Sequence, residues 1–406
     1  MLTLIAWRNI WRSPTRSLVV IVAVALGLWA GLFLSAFSIG LSEQRARDQL
    51  ETMVSHVQVH HPDFKGERDI NNFIPDGPDL LTQVQALPDV VGATGRSLAF
   101  GMIASARKTG GVMINGIMPE TEAVVTKLDQ KLVEGTYFDG VSRNPILISQ
   151  RTAEAHKLGL RKKVVLTLKD AEGEMVSKAF RIAGIYKSFN SQYDEANVFV
   201  LSEDLQDMLG LPGELHEIAL LGPNKEEAGI IKTEVSALAP EALVEDWREI
   251  SPELRLLADT MDQMMYIFIG IIVLALAFGI INTMLMAVLE RTHELGMLMS
   301  VGMNKFRIFA MIILETLFMA MIGVPFGLFA AWGMVSWMGQ PGNGIDMSAF
   351  SQGLEEFGMS SVVYPELDPN YYWQVMLIVA VAAVLSAIYP AIKALKLNPV
   401  EAVRAH

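Results

Sequence analysis

No cysteine occurs in the 406 residues, which excludes a disulfide framework, a zinc–thiolate site and a thiol nucleophile. Charge is scarce too: 19% of residues are charged and 51% hydrophobic, where a soluble chain carries about a quarter charged. The phosphate-cradling pattern G-x-x-x-x-G-K-[ST] is missing, as are H-E-x-x-H, a nucleophile elbow and carboxylates paired at a catalytic spacing. The first of these absences leaves the chain without a Walker A site for a nucleotide. One absence is local. Residues 338–374 contain no Lys or Arg at all, only acids such as Asp346, Glu355, Glu356, Glu366 and Asp368.

What the sequence has in excess is long apolar runs. Crossing a hydrocarbon core of about 30 Å takes roughly 20 apolar helical residues. Leu18–Ile39, Tyr266–Leu289, Ile308–Trp337 and Val375–Ile392 each meet that length. The first run is too long for the core of a signal peptide and no small-x-small cleavage site follows it, so it reads as a retained anchor. The expected fold is an α-helical membrane protein with four transmembrane helices and a large α/β extracytoplasmic domain inserted between helices 1 and 2. The segments are residues 1–17 (amphipathic helix), 18–42, 266–289, 308–337 and 375–392 (spans), 43–265 (domain), 290–307 and 338–374 (connections) and 393–406 (tail).

Orientation follows from the basic residues that flank the spans. Arg8, Arg12 and Arg16, then Arg291, Lys305 and Arg307, then Lys393, Lys396 and Arg404 all fall on one side. That side reads as the cytoplasm, with both termini in it. The segment 43–262 carries 23 Lys and Arg against 35 Asp and Glu, a formal charge of −12. Such a domain is a poor partner for nucleic acid or for an anionic lipid surface.

Within the domain, polar helix-compatible stretches at Leu41–Met53 and Ser251–Met265 read as stalks that extend the spans. Ser251-Pro252-Glu253 has the form of a helix start. His56–His60, Val90–Ser97, Glu217–Leu221 and Ala242–Asp246 read as strands, with helices at Asp79–Ala86 and Lys225–Leu238. These form two β-α-β units, at 54–118 and 196–248. A further subdomain, 119–195, is expected between them, with strands at Pro145–Ser149, Val164–Leu168 and Ala179–Tyr186.

Several residues carry more than one reading. Arg291–Met303 is a short segment of mixed charge with an apolar row at Leu295, Leu298 and Met299. It either docks in a groove on a partner or lies on lipid. Glu315, seven residues into the third run, is an intramembrane carboxylate and so a functional candidate by default, with a structural hydrogen bond as the plainer role. Asn282 is another intramembrane polar residue. Trp7 and Trp11 with Arg8 and Arg12 suit an interfacial anchor. His56, His60 and His61 lack an acidic ligand at a recognised spacing and are not expected to hold a metal. Gly27, Gly31 and Gly40 allow close helix packing at a seam with a second copy.

Several motifs then point to one family. They are Ala6-Trp7-Arg8-Asn9-Ile10-Trp11-Arg12 with Arg16; the stretch from Asn282 to Gly302 around Glu290-Arg291-Thr292-His293-Glu294-Leu295-Gly296; and Tyr389-Pro390-Ala391 with Asn398-Pro399-Val400-Glu401-Ala402-Val403-Arg404. Val57-Gln58-Val59-His60, Glu134-Gly135-Thr136-Tyr137-Phe138 and Lys157-Leu158-Gly159-Leu160 join them. Together they resemble the FtsX/MacB-type (type VII) permeases of ABC transporters, most closely the lipoprotein-releasing LolC/LolE branch.

The resemblance implies a pair of permease subunits, two copies or two homologues, around a separate ATPase dimer that binds ATP and Mg. It implies an outer domain of porter-like (54–118 and 196–248) and sabre-like (119–195) parts. It also implies that Glu290, Arg291, Glu294, Leu295, Gly296, Leu298, Met299 and Gly302 form a helix that couples to the ATPase. Met1 lies directly before the amphipathic helix, so the ATPase fusion of the macrolide-exporter branch is not expected. The function so implied is mechanical work across the inner membrane. Extraction of a lipoprotein or other lipidated cargo, with a periplasmic chaperone, stands first. Efflux with a periplasmic adaptor and regulation of a cell-wall hydrolase or signalling partner are the alternatives.

Overall fold

The computed structural model describes residues 2–12, 14–141, 143–356 and 359–396; the terminal motif at 398–404 lies outside the described residues. The chain divides into a helical unit, from residues up to 42, 259–346 and 362 onward, and an α/β unit, from 43–258 and 347–361.

The helical unit is built on α1 (Leu2–Arg12), α2 (Pro14–Gln49), α3 (Pro252–Glu290), α4 (Thr292–Ser300), α5 (Lys305–Met338) and α6 (Pro369–Leu395). Of these, α2, α3, α5 and α6 are long and apolar enough to cross a membrane. A helix satisfies its backbone internally, which is what hydrocarbon demands, and nothing obliges it to stop where the apolar residues stop. Hence α2 runs on to Gln49 and α3 already begins at Pro252.

Close packing in this unit rests on two glycines four residues apart in α5. A Cβ on Gly323 would stand 2.9 Å from the Ile21 carbonyl oxygen, and one on Gly327 2.7 Å from that of Ala25. Only glycine lets two helix backbones approach so closely. The glycines of α2 are spent within the chain rather than left for a seam between copies. Gly27 and Gly31 face Leu276 and Ile272 of α3, and Gly40 lies under the backbone of Tyr364 and Glu366.

The α/β unit carries ten strands in one sheet: β1 (Val57–His60), β2 (Gly92–Ala104), β3 (Thr109–Ile117), β4 (Leu132–Gly135), β5 (Pro145–Ser149), β6 (Lys163–Lys169), β7 (Met175–Tyr186), β8 (Asn197–Leu201), β9 (Glu217–Leu221) and β10 (Leu243–Asp246). The run β10–β1–β9–β2 is antiparallel throughout. With helices Gly77–Gln85 and Ala228–Leu238 it is a split β-α-β arrangement of the ferredoxin-like kind. The rest closes on itself. β2 pairs β3, β3 pairs β8, β8 pairs β5, β5 pairs β7, β7 pairs β6, and β6 returns to β2, a ring of six strands.

Each part has its own core. Val57, Val59, Leu81, Val84, Ile218, Leu220, Ile231 and Trp247 fill the first, and Ile103, Ile114, Ile146, Leu166, Phe180 and Val198 fill the ring. The boundary between them differs from the expected one. The ring core opens at Ala99 and closes at Leu209, so 119–195 is too narrow and the porter-like part gives up residues at both junctions. The reason is β2. It is thirteen residues long, not eight, and runs from one core, at Ala93, into the other, at Ala99. The connection 338–374 differs as well, because its residues 347–361 belong to the α/β unit.

Where α2 ends, a π turn, Leu50–Val54, begins. Asp48 lies half-buried just before it, with one carboxylate oxygen unpartnered. Burial pushes its carboxyl up to about 6, against the opposing pull of Lys131. Burial in turn brings the Lys131 ammonium down to about 8, opposed by Asp48 and Glu51. A carboxyl held above its unfolded value makes the native state the better proton binder between pH 4 and 6, so stability falls as pH rises through that window. Asp48→Asn is expected to remove about 1–2 kcal/mol of that fall after allowance for solvent screening, read as melting temperature against pH. An unchanged slope in the variant contradicts it.

Candidate functional site

The strongest grouping of polar side chains in the helical unit lies where α1, the α3–α4 break and α5 meet. The break is at Arg291. α3 ends at Glu290, and Arg291 leaves the helical region at φ −97°, ψ 17° to head α4. Its guanidinium reaches α5, where Nη1 donates to both Glu315 oxygens at 2.9 and 3.2 Å. Nη2 donates to the carbonyl oxygen of Asn9 on α1 at 3.2 Å. The pair is largely shielded, with side-chain exposures of 16% and 8%. Glu315 is thus the counter-ion of Arg291. Two residues weighed separately in the sequence come together.

A second ion pair ties the same elements from the solvent side. Arg12 of α1 donates to Glu294 of α4 at 2.7 and 3.3 Å, and both are exposed. α1 seats Ala6 and Ile10 in the core of the helical unit and leaves Trp11 and Arg8 exposed. Trp7 packs edge-on against Phe318 of α5 at 5.7 Å and against Trp11 at 6.1 Å. Between α1 and α4 opens a cleft of about 620 Å³, walled by Ile5, Met284, Val288, Leu298 and Met311.

The segment after the break has a defined shape. α4 is closed by paired hydrogen bonds from Gly302 N to Met299 O (3.1 Å) and from Met303 N to Leu298 O (3.0 Å). Gly302 sits at φ +95°, the left-handed position that ends a helix this way and strains any residue with a Cβ. The Asn304 side chain then caps α5, accepting from Phe306 N.

The expected apolar docking row is turned inward. Leu295 and Gly296 are buried, and Leu298 and Met299 pack against the chain's own core. The face left open is His293, Met297, Ser300 and Val301, spaced i, i+4, i+7 and i+8, with Val301 89% exposed. The sequence reading missed it by following apolar spacing to the partner, whereas the same spacing in a short helix marks the face that holds it to its own protein. Glu290 is exposed at the end of α3, and Asn282 is exposed on α3.

In the α/β unit the histidines serve separate contacts. His56 Nδ1 accepts from Gly222 N, His60 Nδ1 and Nε2 meet His216 O and Gln58 Oε1, and His61 accepts from Asp63 N. No group of three ligating side chains is gathered for a metal among the described residues. Arg96 is buried between Glu122 and Glu217, at 2.8 and 2.5 Å. This pins β2 to β9 and to helix Pro119–Thr126, a role in the fold.

Two family models match consecutive regions, the MacB-like periplasmic core domain over residues 17–237, more than half of the chain, and the FtsX-like permease C-terminal domain over 266–399. The chain belongs to the FtsX/MacB-type ABC transporter permeases. The permease is similar to the lipoprotein-releasing system transmembrane protein LolC of Neisseria meningitidis serogroup B, 22% identical over 96% of this chain and 94% of that one. It is similar to an uncharacterised ABC transporter permease of Methanocaldococcus jannaschii, 23% identical over 98% and 96%. A solved structure of the periplasmic region of MacB from Actinobacillus actinomycetemcomitans matches at 12% identity and a TM-score of 0.37, over 50% of this chain and 93% of that one.

Two substitutions separate shape from surface charge at this site. Gly302→Ala, which forces a Cβ into the left-handed region, is expected to cost about 1–2 kcal/mol. Arg12→Ala removes an exposed ion pair of under about 1 kcal/mol. Thermal unfolding of the detergent-solubilised permease checks the order, and an equal or larger loss for Arg12→Ala contradicts it.

Proposed function

We propose that this permease receives the work of a separate ABC ATPase dimer at α4 and delivers it to its α/β unit, releasing a lipoprotein or another lipidated cargo from the membrane. The observation that carries the reading is the two-sided character of α4. One side is fixed in the chain's own core and the other offers His293, Met297, Ser300 and Val301 to a partner. A helix resting on lipid would turn its apolar stripe outward, but here the apolar stripe is used internally. ATP and Mg belong to the ATPase in this reading, and a second permease subunit completes the pair.

Lipidated cargo is supported by full-length likeness to proteins named for lipoprotein release in Neisseria meningitidis and Xylella fastidiosa. The distribution of Lys and Arg supports α4 and both termini on the cytoplasmic side, with the acidic α/β unit on the other, open to a chaperone or adaptor. Asn282, exposed on α3, suits a hydrogen bond to a neighbouring span.

Native co-purification from the host membrane with mass spectrometry tests the proposal. An ABC ATPase together with a lipoprotein or lipoprotein chaperone is the expected result, and no ATPase under any nucleotide condition contradicts it. Met297→Glu with Val301→Asp is expected to lower ATPase recovery about tenfold, about 1.4 kcal/mol of binding, while the permease melts as wild type. Leu295→Ala is expected to cost about 2–5 kcal/mol of stability. If the surface pair changes nothing and only Leu295→Ala reduces recovery, the docking face is misassigned.

A further inference from the structure

We infer that Arg291 and Glu315 are positioning residues that lock α4 to α5 and α1, so that a displacement received at α4 passes to α5 and α1 as one rigid body. This rests on the proposed docking of an ATPase at α4.

The backbone at the break ties α4 to α3, not to α5 or α1. α3 ends at Glu290 and α4 starts at Thr292, so a single non-helical residue joins them. Backbone hydrogen bonds cross this joint, from Arg291 N to Ala287 O at 3.2 Å and from Leu295 N to Arg291 O at 3.0 Å, so it is a kink held to α3. Arg291 is the joint residue, and its side chain ties the kink to the elements beside it. Both Glu315 oxygens accept from one guanidinium nitrogen, and the other nitrogen is taken by Asn9 O.

The third contact closes a helix end. Asn9 is among the last four residues of α1 (Leu2–Arg12), whose carbonyls have no donor within the helix. The neighbouring carbonyl, that of Ile10, is taken by Ser17 Oγ at 2.7 Å. The end of α1 is thus finished by groups from elsewhere, one of them a cation, the sign its dipole favours. The arrangement needs the planar fork of arginine. An ammonium is a point charge that serves the carboxylate or the carbonyl but not both in this geometry. Burial makes the lock hold, since two charges withdrawn from water separate at high cost. The exposed Arg12–Glu294 pair exchanges readily with water and cannot do the same.

The absence of cysteine allows the test in the full-length chain. Spin labels go at Thr292 in α4, half-buried and outside the docking face, and at the exposed Phe329 in α5, with the permease in lipid nanodiscs alone and with its co-purified ATPase under ATP–Mg–vanadate. Wild type is expected to give a narrow distance distribution that nucleotide leaves in place. Glu315→Gln, which removes the charge, and Arg291→Lys, which removes the fork, are expected to broaden it without nucleotide and let it shift by about 2–5 Å with nucleotide. The doubly swapped Arg291→Glu, Glu315→Arg is expected to narrow it again. A wild-type distance that shifts with nucleotide overturns the lock, and so do single variants indistinguishable from wild type. If no ATPase binds wild type, the docking proposal fails alone, because the nucleotide-free widths still judge the lock.

Discussion

A guanidinium and a carboxylate 2.9 Å apart, both largely hidden from solvent, set the terms for the helical unit. Neither charge is stable there without the other, so the elements that carry them are held together. Arg291 comes from the break between α3 and α4, Glu315 from α5, and the leftover donor finds the end of α1. The surrounding features assume this fixed point. Gly302 ends α4 after nine residues, Asn304 starts α5, and the inward face of α4 fills the space beside the pair. What remains for a partner is the narrow outward face.

In the α/β unit the comparable constraint is a strand shared by two cores. β2 pairs with β9 in the ferredoxin-like sheet and with β3 and β6 in the six-stranded ring. The two parts therefore cannot separate without breaking one strand. Arg96 reinforces this strand near its middle through Glu122 and Glu217. A load taken by one part is carried into the other along β2.

The sequence made the spans plain, because hydrophobic length has few competing explanations in a chain so poor in charge. The inner strands Val57–His60 and Glu217–Leu221 were legible for the same reason, as short apolar runs bounded by turns. Thr109–Ile117 was not. Gly110 and Gly111 at its start and Asn115 within it break the apolar pattern, and its place is set by pairing with β2 and β8. The extent of β2 was hidden by Phe100 and Met102, which point outward from the ring and blur the end of the alternation. At the candidate site, Arg291 and Glu315 were each noticed, but no local pattern joins residues 24 apart. Only the return of α5 beside α3 does so. The direction of the Leu295, Leu298 and Met299 row was misjudged because spacing shows that a helix has an apolar face, not what covers it.

The central claim is that nucleotide chemistry on a partner moves the α/β unit through the helical one. Labels at Phe329 on α5 and Met175 at the start of β7, both exposed, measure that transfer in the reconstituted complex. The account predicts a distance that changes between nucleotide-free and ATP-trapped states and returns after hydrolysis. ATP turnover by the complex with that distance unchanged in every state would contradict it.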